Sequence, residues 1–479
     1  MNRRKAVAGA LLVQAGLGSI ISWVMLFTSA HGRAGAILSP AFSSEWIFTA
    51  GLLAFAAAVL SSGPCSEKIG PRKIAAASGI LLGAGYCSTL LLDISSLEEA
   101  CLITGVFGAA AGLVYIVSID TGMKWYPEKK GIVTGLILAG SGFGGLCWFR
   151  TQEILVTMVS LQDTLLAIGC VSAMLVLAGA CTISEPPAGY VPPVWKKPEN
   201  PLADLPGPPA ELREILGRPA FFIIAGSMLL VSSAAVFFSG NLQYAGNKIL
   251  VARGLEVQLA ARITLLATAI LAISDGLGRI AWGSIADSIG SKLTVVILCA
   301  VETVMIILIS RMGGDGSILI FGTFVIGTAL GGLLTVFPCI VREYVGEQEF
   351  VKSYSIIFAS FLFIAAGTIQ ASGLLRESFG TNTAMWLNCL FVSGALPLAG
   401  GAVMMLLKRP GRRGMVREDE NLQKDVEPDE LRPGEIRPPE LEPDGPPAAG
   451  PSEGGAPDAG LDSTTEEHRE KDEAIQQNN

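Results

Sequence analysis

Histidine, paired cysteine and charge are all scarce in this chain of 479 residues, and each scarcity excludes a class of protein. With 2 histidines and 9 cysteines, and with no Cys-x-x-Cys pair, the sequence predicts no metal site and no disulfide framework. The phosphate-binding pattern Gly-x-x-x-x-Gly-Lys-Ser/Thr is absent, which argues against nucleotide hydrolysis. No paired His/Asp motif or nucleophile constellation stands out, so we expect a protein without a cofactor that is not an enzyme.

Long apolar runs take up most of the sequence. Charged residues make up 16% of the chain and hydrophobic residues 51%, whereas soluble proteins have about 25% charged residues. A helix needs roughly 20 mainly apolar residues to cross a membrane. The first run, from Ala6, is too long for a signal-peptide core and is interpreted as a membrane span. The sequence predicts an all-α membrane protein with twelve transmembrane helices near residues 6–29, 45–62, 74–92, 99–121, 131–153, 163–183, 219–240, 259–281, 293–311, 317–340, 354–375 and 384–407.

A polar, proline-rich segment separates the first six predicted spans from the last six. We expect an N-terminal six-helix half (1–183), a cytoplasmic central loop (184–218), a C-terminal six-helix half (219–410) and a tail (411–479). The tail has 8 Lys/Arg against 19 Asp/Glu, a net charge of −11, so the remainder carries +3 and the whole chain −8. Because the tail has few aromatic residues, we predict that it is disordered, as a solvated appendage or as the binding site of a cytoplasmic partner.

Positive charge is distributed unevenly over the two sides of the predicted bundle. Lys and Arg are roughly three times as frequent on the side of both termini as on the other side. By the positive-inside rule, we expect both termini in the cytoplasm and multi-pass insertion in the plasma or inner membrane. We expect contact with membrane lipid and none with nucleic acid.

Two ionisable residues, Asp275 and Arg279, lie well inside an apolar run. A guanidinium group there costs roughly 3 kcal/mol or more unless it faces protein, water or a partner. A spacing of four places both side chains on one helix face, where they can form an ion pair. Arginine also binds a planar carboxylate through two parallel hydrogen bonds, and protonation of Asp275 would release Arg279 for this purpose. The pair is a candidate site for an anion and a proton, with a simple intrahelical ion pair as the alternative.

One short pattern occurs after the second span and again after the eighth. It reads glycine, three residues, a carboxylate, two residues, glycine, one residue and a cation. Internal repeats are typical of secondary transporters. A carboxylate at the end of one helix can bind the N-terminus of a helix in the other half, so we expect these residues to act in gating. The two copies contain Gly63, Glu67, Gly70 and Arg72, and Gly283, Asp287, Gly290 and Lys292.

The first copy resembles the loop signature Gly-x-x-x-Asp-x-x-Gly-x-Arg/Lys-Arg/Lys of the major facilitator superfamily, with Glu67 in place of aspartate. This resemblance implies the fold of that superfamily, with two six-helix halves and alternating access. It also implies a role in the gate for Glu67, Arg72 and Asp287.

Within the superfamily, the chain is similar to the oxalate/formate antiporter group and to monocarboxylate transporters. The similarity rests on the segments Lys124–Gly131 and Glu185–Tyr190, on Phe337-Pro338, and on Asp275 with Arg279. It implies a secondary active transporter of a small organic anion, with proton coupling through Asp275 and Arg279. A monomeric transport unit is also implied.

Residues elsewhere in the spans narrow the expected substrate. The oxalate transporter of this group has a second buried cation in its eleventh span, whereas residues 354–375 contain no Lys or Arg. One buried cation suits one carboxylate, so we expect a monocarboxylate of the lactate, pyruvate or acetate type. The first span, 6–29, lacks the lysine that some monocarboxylate transporters carry there. An oxalate/formate-type exchanger and a ligand sensor on the same fold remain the alternatives.

Three aromatic residues are candidates for the wall of the site. Tyr115, flanked by small residues in the fourth span, is a candidate phenolic donor, and in similar proteins a tyrosine on this helix contacts the carboxylate. Trp23 and Phe27 lie one helical turn apart in the first span. Packing in the protein interior is the alternative for all three. Glu302 is a lone carboxylate in the ninth span, without an assigned role.

Overall fold

The computed structural model describes residues 3–28, 44–92, 94, 96–187, 190, 212–312, 314–379 and 382–408. Within these residues the regular structure is entirely helical, as the sequence predicted. A short 3-10 turn, Pro127–Lys129, precedes α6. The α-helices are α1 (Arg3–Leu17), α2 (Ser19–Thr28), α3 (Ser44–Ile69), α4 (Pro71–Ser88), α5 (Leu97–Trp125), α6 (Lys130–Leu155), α7 (Leu161–Thr182), α8 (Leu212–Gly217), α9 (Pro219–Ala252), α10 (Val257–Ile289), α11 (Ser291–Met312), α12 (Gly316–Val345), α13 (Phe350–Phe379), α14 (Thr383–Ser393) and α15 (Ala395–Met405).

Eleven helical segments in the described ranges are long and apolar enough to cross a membrane. The first of them joins α1 to α2, and the last joins α14 to α15. Large apolar side chains such as Leu91, Ile80 and Leu265 are exposed on the outside of the bundle, where a membrane protein meets lipid.

The remaining predicted span, 74–92, corresponds to α4, which begins and ends earlier than expected. It ends at Ser88 instead of residue 92, because the hydroxyl groups of Ser88 and Thr89 bond back to the carbonyl oxygens of Gly85 and Tyr86. Its 18 residues span about 27 Å, close to the thickness of a bilayer core. Ser78 bonds to the Ala110 carbonyl of α5, so α4 is packed into the bundle.

Several helices are longer than the sequence predicted, and in two of them the extension moves the repeated pattern out of the loops. Helix α3 continues through Pro64 to Ile69, and α10 continues to Ile289. The carboxylates of both copies therefore lie on final helical turns. Gly70 (φ 83°) and Gly290 (φ 91°) are then the single residues that join α3 to α4 and α10 to α11. Glycine suits these two junctions because a positive φ is strained for other residues.

Two predicted domain boundaries, 183/184 and 218/219, lie next to the ends of described helices. Helix α7 ends at Thr182 and α9 begins at Pro219, with the short α8 between them. Much of the predicted central loop, 191–211, and the predicted disordered tail, 411–479, lie outside the described residues. The division into two six-helix halves stays a prediction. We use "N-terminal helices" for α1–α7 and "C-terminal helices" for α9–α15.

The start of the first described helix and the end of the last one lie at the same end of the bundle. Arg3 pairs with Glu128, and Lys130 pairs with Glu343. Glu343 accepts a hydrogen bond from Ser291, and the neighbouring Lys292 donates to the Leu407 carbonyl. These contacts run from the start of α1 to the end of α15, and we call this side of the bundle the terminal end.

Candidate functional site

Arg279 is the central residue of the candidate site, at the contact between α10 and α6. Only 7% of its surface is exposed. Its Nη1 donates to the Leu138 carbonyl at 2.6 Å and to Ser141 Oγ at 2.8 Å, both on α6. Its Nη2 donates to Asp275 Oδ2 at 2.8 Å, so the predicted contact within α10 is present. The guanidinium group therefore links an N-terminal helix to a C-terminal helix.

Two atoms of this pair have no partner among the residues that the structure describes. They are the Nε of Arg279 and the Oδ1 of Asp275, both shielded from solvent. A buried polar atom without a hydrogen bond costs roughly 1–3 kcal/mol, and more when the group is charged. Nε and Nη2 form one edge of the guanidinium group, which is the edge that binds a carboxylate bidentately. The site thus has one unsatisfied donor and one unsatisfied acceptor on side chains that are paired across one turn of α10.

Glycine residues on α6 allow the close approach of α10 at this point. A methyl group on Gly135 would lie 2.1 Å from the Arg279 carbonyl oxygen, and one on Gly142 would lie 3.3 Å from the Cα of Gly276. A methyl group on Gly131 would lie 2.2 Å from the Gly283 carbonyl oxygen. The two backbones therefore touch along one face of α6, which brings the Leu138 carbonyl within reach of Arg279.

Tyr115 lies beside this pair, within electrostatic reach of Arg279 and Asp275. Its ring stacks on Phe358 of α13 with centroids 4.7 Å apart and meets Phe55 of α3 edge to face at 5.6 Å. The packing fixes the tyrosine between the two sets of helices. The structure therefore brings Tyr115, Asp275 and Arg279 into one region.

Trp23, one of the two aromatic candidates of the first span, packs in a different cluster from Tyr115. Trp23 is completely buried, and its Nε1 donates to Thr104 Oγ1 of α5 at 2.8 Å. Its ring meets Phe107 edge to face at 5.4 Å, in a hydrophobic cluster separate from that of Tyr115. Trp23 therefore packs among the N-terminal helices. The side chain of Phe27 lies outside the described residues.

Asp287, from the second copy of the repeated pattern, binds the N-terminus of α6. Its Oδ1 accepts from the Gly131 amide at 2.7 Å and its Oδ2 from the Ile132 amide at 2.9 Å. Carboxylates are stabilised at helix N-termini because unsatisfied amide groups and the helix dipole favour negative charge. Gly283 allows the contact, because its backbone lies directly against Gly131. This contact joins a C-terminal helix to an N-terminal helix at the terminal end.

The first copy makes a different contact. Glu67 pairs with Lys352 Nζ of α13 at 3.3 Å, and 56% of its side chain is exposed. Arg72 donates through Nε to the Ile183 carbonyl at 3.3 Å and therefore binds the end of α7. The two copies are thus equivalent in sequence but not in bonding, since only Asp287 binds backbone amides of a facing helix.

A buried ion pair at the terminal end was missed by the sequence analysis. Asp120 Oδ1 accepts from Arg342 Nη1 at 3.1 Å, and both side chains are less than 10% exposed. Asp120 also pairs with Lys124 at 2.8 Å, a spacing of four residues that the sequence shows. Arg342 is 222 positions away, and the only signal was a charge within the last turns of each apolar run. The pair joins α5 to α12.

The opposite end of the bundle is also held by contacts between α3 and α13. Arg376 Nη1 binds Glu45 at 2.6 Å, and Gln370 donates to Thr49 at 2.8 Å. Contacts of these two helices therefore occur near both ends, from Glu45 to Glu67 on α3. No group of three or more metal-ligating side chains occurs in the described ranges.

The sequence and the fold both match those of known transporters. Residues 6–273 match the family described as the Major Facilitator Superfamily. The chain belongs to this superfamily. It is 23% identical over 402 residues to the oxalate:formate antiporter of Oxalobacter formigenes, a match covering 81% of this chain and 90% of the relative. It is 24% identical over 372 residues to monocarboxylate transporter 13 of Bos taurus, covering 77% and 81%.

A solved structure supports the same assignment of the fold. The crystal structure of the human organic anion transporter MFSD10 aligns with a TM-score of 0.60 and 13% identity, covering 84% of this chain and all of that one. At this identity the likeness concerns the fold alone. The protein is therefore a multi-span membrane transporter with the major facilitator fold, as the sequence predicted.

Proposed function

We propose that this transporter carries small monocarboxylates together with protons by alternating access. The observation that carries the proposal is the buried pair of Arg279 and Asp275, each with one unsatisfied atom. Arg279 supplies a charge that matches one carboxylate, and Asp275 supplies a base that can take one proton. Function is inferred from this site, because the fold by itself is used for many substrates.

The geometry suggests an order of events at the pair. A proton binds Asp275 at Oδ1, the oxygen without a donor, and removes the charge that holds Nη2 of Arg279. The edge formed by Nε and Nη2 is then free to bind the substrate carboxylate in two parallel hydrogen bonds. Nη1 remains on the Leu138 carbonyl and Ser141 during this exchange. Proton and anion thus bind together as a neutral pair, which lowers the cost of moving charge through the membrane.

Four contacts hold the N-terminal and C-terminal helices together at the terminal end. They are the bonds of Asp287 to α6, the pair of Lys130 with Glu343, the pair of Asp120 with Arg342, and the pair of Glu67 with Lys352. We infer from the distribution of Lys and Arg that this end faces the cytoplasm. On this basis the structure represents a conformation closed toward the cytoplasm, and transport requires these contacts to break.

The known relatives support a small carboxylate as the substrate class. One is named for the exchange of oxalate and formate, and another is named a monocarboxylate transporter. Residues 354–375 contain no Lys or Arg, so the eleventh span adds no second buried charge for a dicarboxylate. We therefore favour lactate, pyruvate or acetate over oxalate. A monomeric unit in the plasma or inner membrane, with both termini in the cytoplasm, is part of the same proposal.

Uptake of labelled lactate into proteoliposomes tests this function. With an inward proton gradient, we expect accumulation by the wild type and less than a tenth of that rate in Arg279→Lys, because lysine cannot form the bidentate contact. Arg150→Lys is the matched control, since the Arg150 side chain is 70% exposed and pairs with Glu153 on the same helix. Gradient-independent uptake would refute proton coupling, and a normal rate in Arg279→Lys would remove Arg279 from the site.

An exchanger of the oxalate/formate type is the second candidate, favoured by the similarity to the Oxalobacter antiporter over most of both chains. Vesicles preloaded with formate or oxalate distinguish the two functions in the same assay. Exchange of labelled oxalate without a proton gradient would establish the exchanger. Ligand binding without transport of any of these acids would favour a sensor.

A further inference from the structure

Tyr354 on α13 is completely buried, and its hydroxyl group has no hydrogen-bond partner among the residues that the structure describes. Its ring lies 5.6 Å from that of Phe358, and the ring of Tyr115 stacks on the same phenylalanine at 4.7 Å. Phe358 therefore connects Tyr354 to the region of Arg279 and Asp275.

The position of Tyr354 is between that region and the terminal end. Tyr354 is within electrostatic reach of both Tyr115 and Cys339. Cys339, on α12, is in turn within reach of Lys130 and Asp287, which make contacts at the terminal end. Tyr115 is within reach of Arg279. Along α13, Tyr354 lies two residues after Lys352, which pairs with Glu67 at the terminal end, and four residues before Phe358, on which Tyr115 stacks.

A buried hydroxyl group without a partner destabilises the conformation that contains it, because its bonds to water are lost and not replaced. Phenylalanine would fill the same space without this cost. Tyr86, which is also completely buried, shows the usual arrangement, because its Oη donates to the Ser19 carbonyl at 3.0 Å. The hydroxyl of Tyr354 is explained if its partner is present only when the terminal end is open.

We propose that Tyr354 Oη is a second binding position for the substrate carboxylate, on the path from Arg279 to the terminal end. The proposal rests on the transport function proposed above. When the terminal end opens, the carboxylate leaves Arg279 and accepts a hydrogen bond from Tyr354 before it reaches water. A hydroxyl group is suited to this step, because it binds an anion without a charge that would retain it.

Tyr354→Phe and Tyr86→Phe test the proposal as a matched pair, since each removes one buried hydroxyl group. We expect Tyr354→Phe to keep the thermal midpoint of the wild type or raise it, because no bond is lost. Its rate of lactate exchange in proteoliposomes should fall about tenfold, the effect of about 1.4 kcal/mol in the barrier. Lactate affinity, measured at equilibrium in detergent, should stay within about twofold because Arg279 is intact. Tyr86→Phe should show the reverse, with a lower midpoint and a wild-type rate.

The outcomes separate this proposal from the function on which it rests. An unchanged exchange rate in Tyr354→Phe, with an active wild type, would overturn the Tyr354 position and leave the transport function intact. A midpoint lowered as much as in Tyr86→Phe would show that the hydroxyl already has a partner, which also overturns the proposal. If the wild type exchanged no acid of the panel, the transport function itself would fail.

Discussion

Replacement of Asp287 by alanine should open the terminal end of the bundle. The Asp287 carboxylate accepts two backbone hydrogen bonds from α6, at 2.7 and 2.9 Å. A hydrogen bond to a charged group contributes about 1.5–3 kcal/mol when buried, and this group is only partly buried, so we take about 1–1.5 kcal/mol for each. The loss of both bonds then amounts to about 2–3 kcal/mol, which shifts the balance between closed and open conformations about 30- to 150-fold toward the open one.

The native Cys339 provides the assay. It is completely buried, and its Sγ donates to the Thr335 carbonyl. It also lies within electrostatic reach of Lys130 and Asp287, so opening of the terminal end should expose it. When opening and closing are fast, the rate of alkylation by a maleimide is proportional to the open population. Mass spectrometry of the labelled peptides distinguishes Cys339 from the other cysteines. We expect alkylation about 30-fold faster or more in Asp287→Ala.

Glu67→Ala is the control that the repeated pattern itself supplies. Its pair with Lys352 is at 3.3 Å and more than half exposed on the glutamate side. Exposed ion pairs contribute about 0–1 kcal/mol, so the alkylation rate should change by less than about fivefold. A wild-type rate in Asp287→Ala would refute the inference that its bonds hold the terminal end closed. Equal acceleration in both variants would refute the difference in strength.

Three further predictions concern packing, buried charge and the tail. Gly135→Ala places a methyl group 2.1 Å from the Arg279 carbonyl oxygen, so it should lower the thermal midpoint and the uptake rate, whereas Gly226→Ala, with open space around it, should change neither. Glu302 is completely buried, and neither of its carboxylate oxygens has a partner in the described ranges. Glu302→Gln should raise the thermal midpoint, because a neutral amide avoids the cost of an unpaired buried charge. A fall of several degrees would indicate that Glu302 has a partner. Deletion of residues 415–479 should leave the uptake rate per inserted molecule unchanged, and a large loss at equal abundance would show that the tail takes part in transport.

The parts of the fold that follow from local composition could be predicted from the sequence. Runs of roughly 20 apolar residues predict helices, and the all-helical membrane fold is confirmed. The extent of individual helices was less accurate. Helix α3 passes through Pro64, and α4 ends early at Ser88, because side-chain bonds and packing decide these ends. Such contacts have no fixed pattern in the sequence.

The candidate site shows the same division between local and distant contacts. The contact of Asp275 with Arg279 follows from a spacing of four residues on one helix. The bonds of Arg279 to Leu138 and Ser141 do not, because they join positions about 140 residues apart and one acceptor is a backbone carbonyl. Composition alone also does not decide the position of Trp23, since an aromatic residue in a span can pack against Phe107 as well as it can line a cavity. The roles of these residues in transport stay predictions.

The unequal bonding of Glu67 and Asp287 has a consequence for how the bundle separates. The contact between α10 and α6 is held by hydrogen bonds to backbone amides and by close approach at glycine residues. The contact between α3 and α13 at this end is held by the exposed ion pair of Glu67 with Lys352. In 1 M salt the screening length is about 3 Å, so this pair is weakened. High salt should therefore weaken the contact between α3 and α13 and leave the contact between α10 and α6 intact. The two sets of helices would then separate first between α3 and α13 while α10 and α6 stay in contact. Water would enter first beside Lys352.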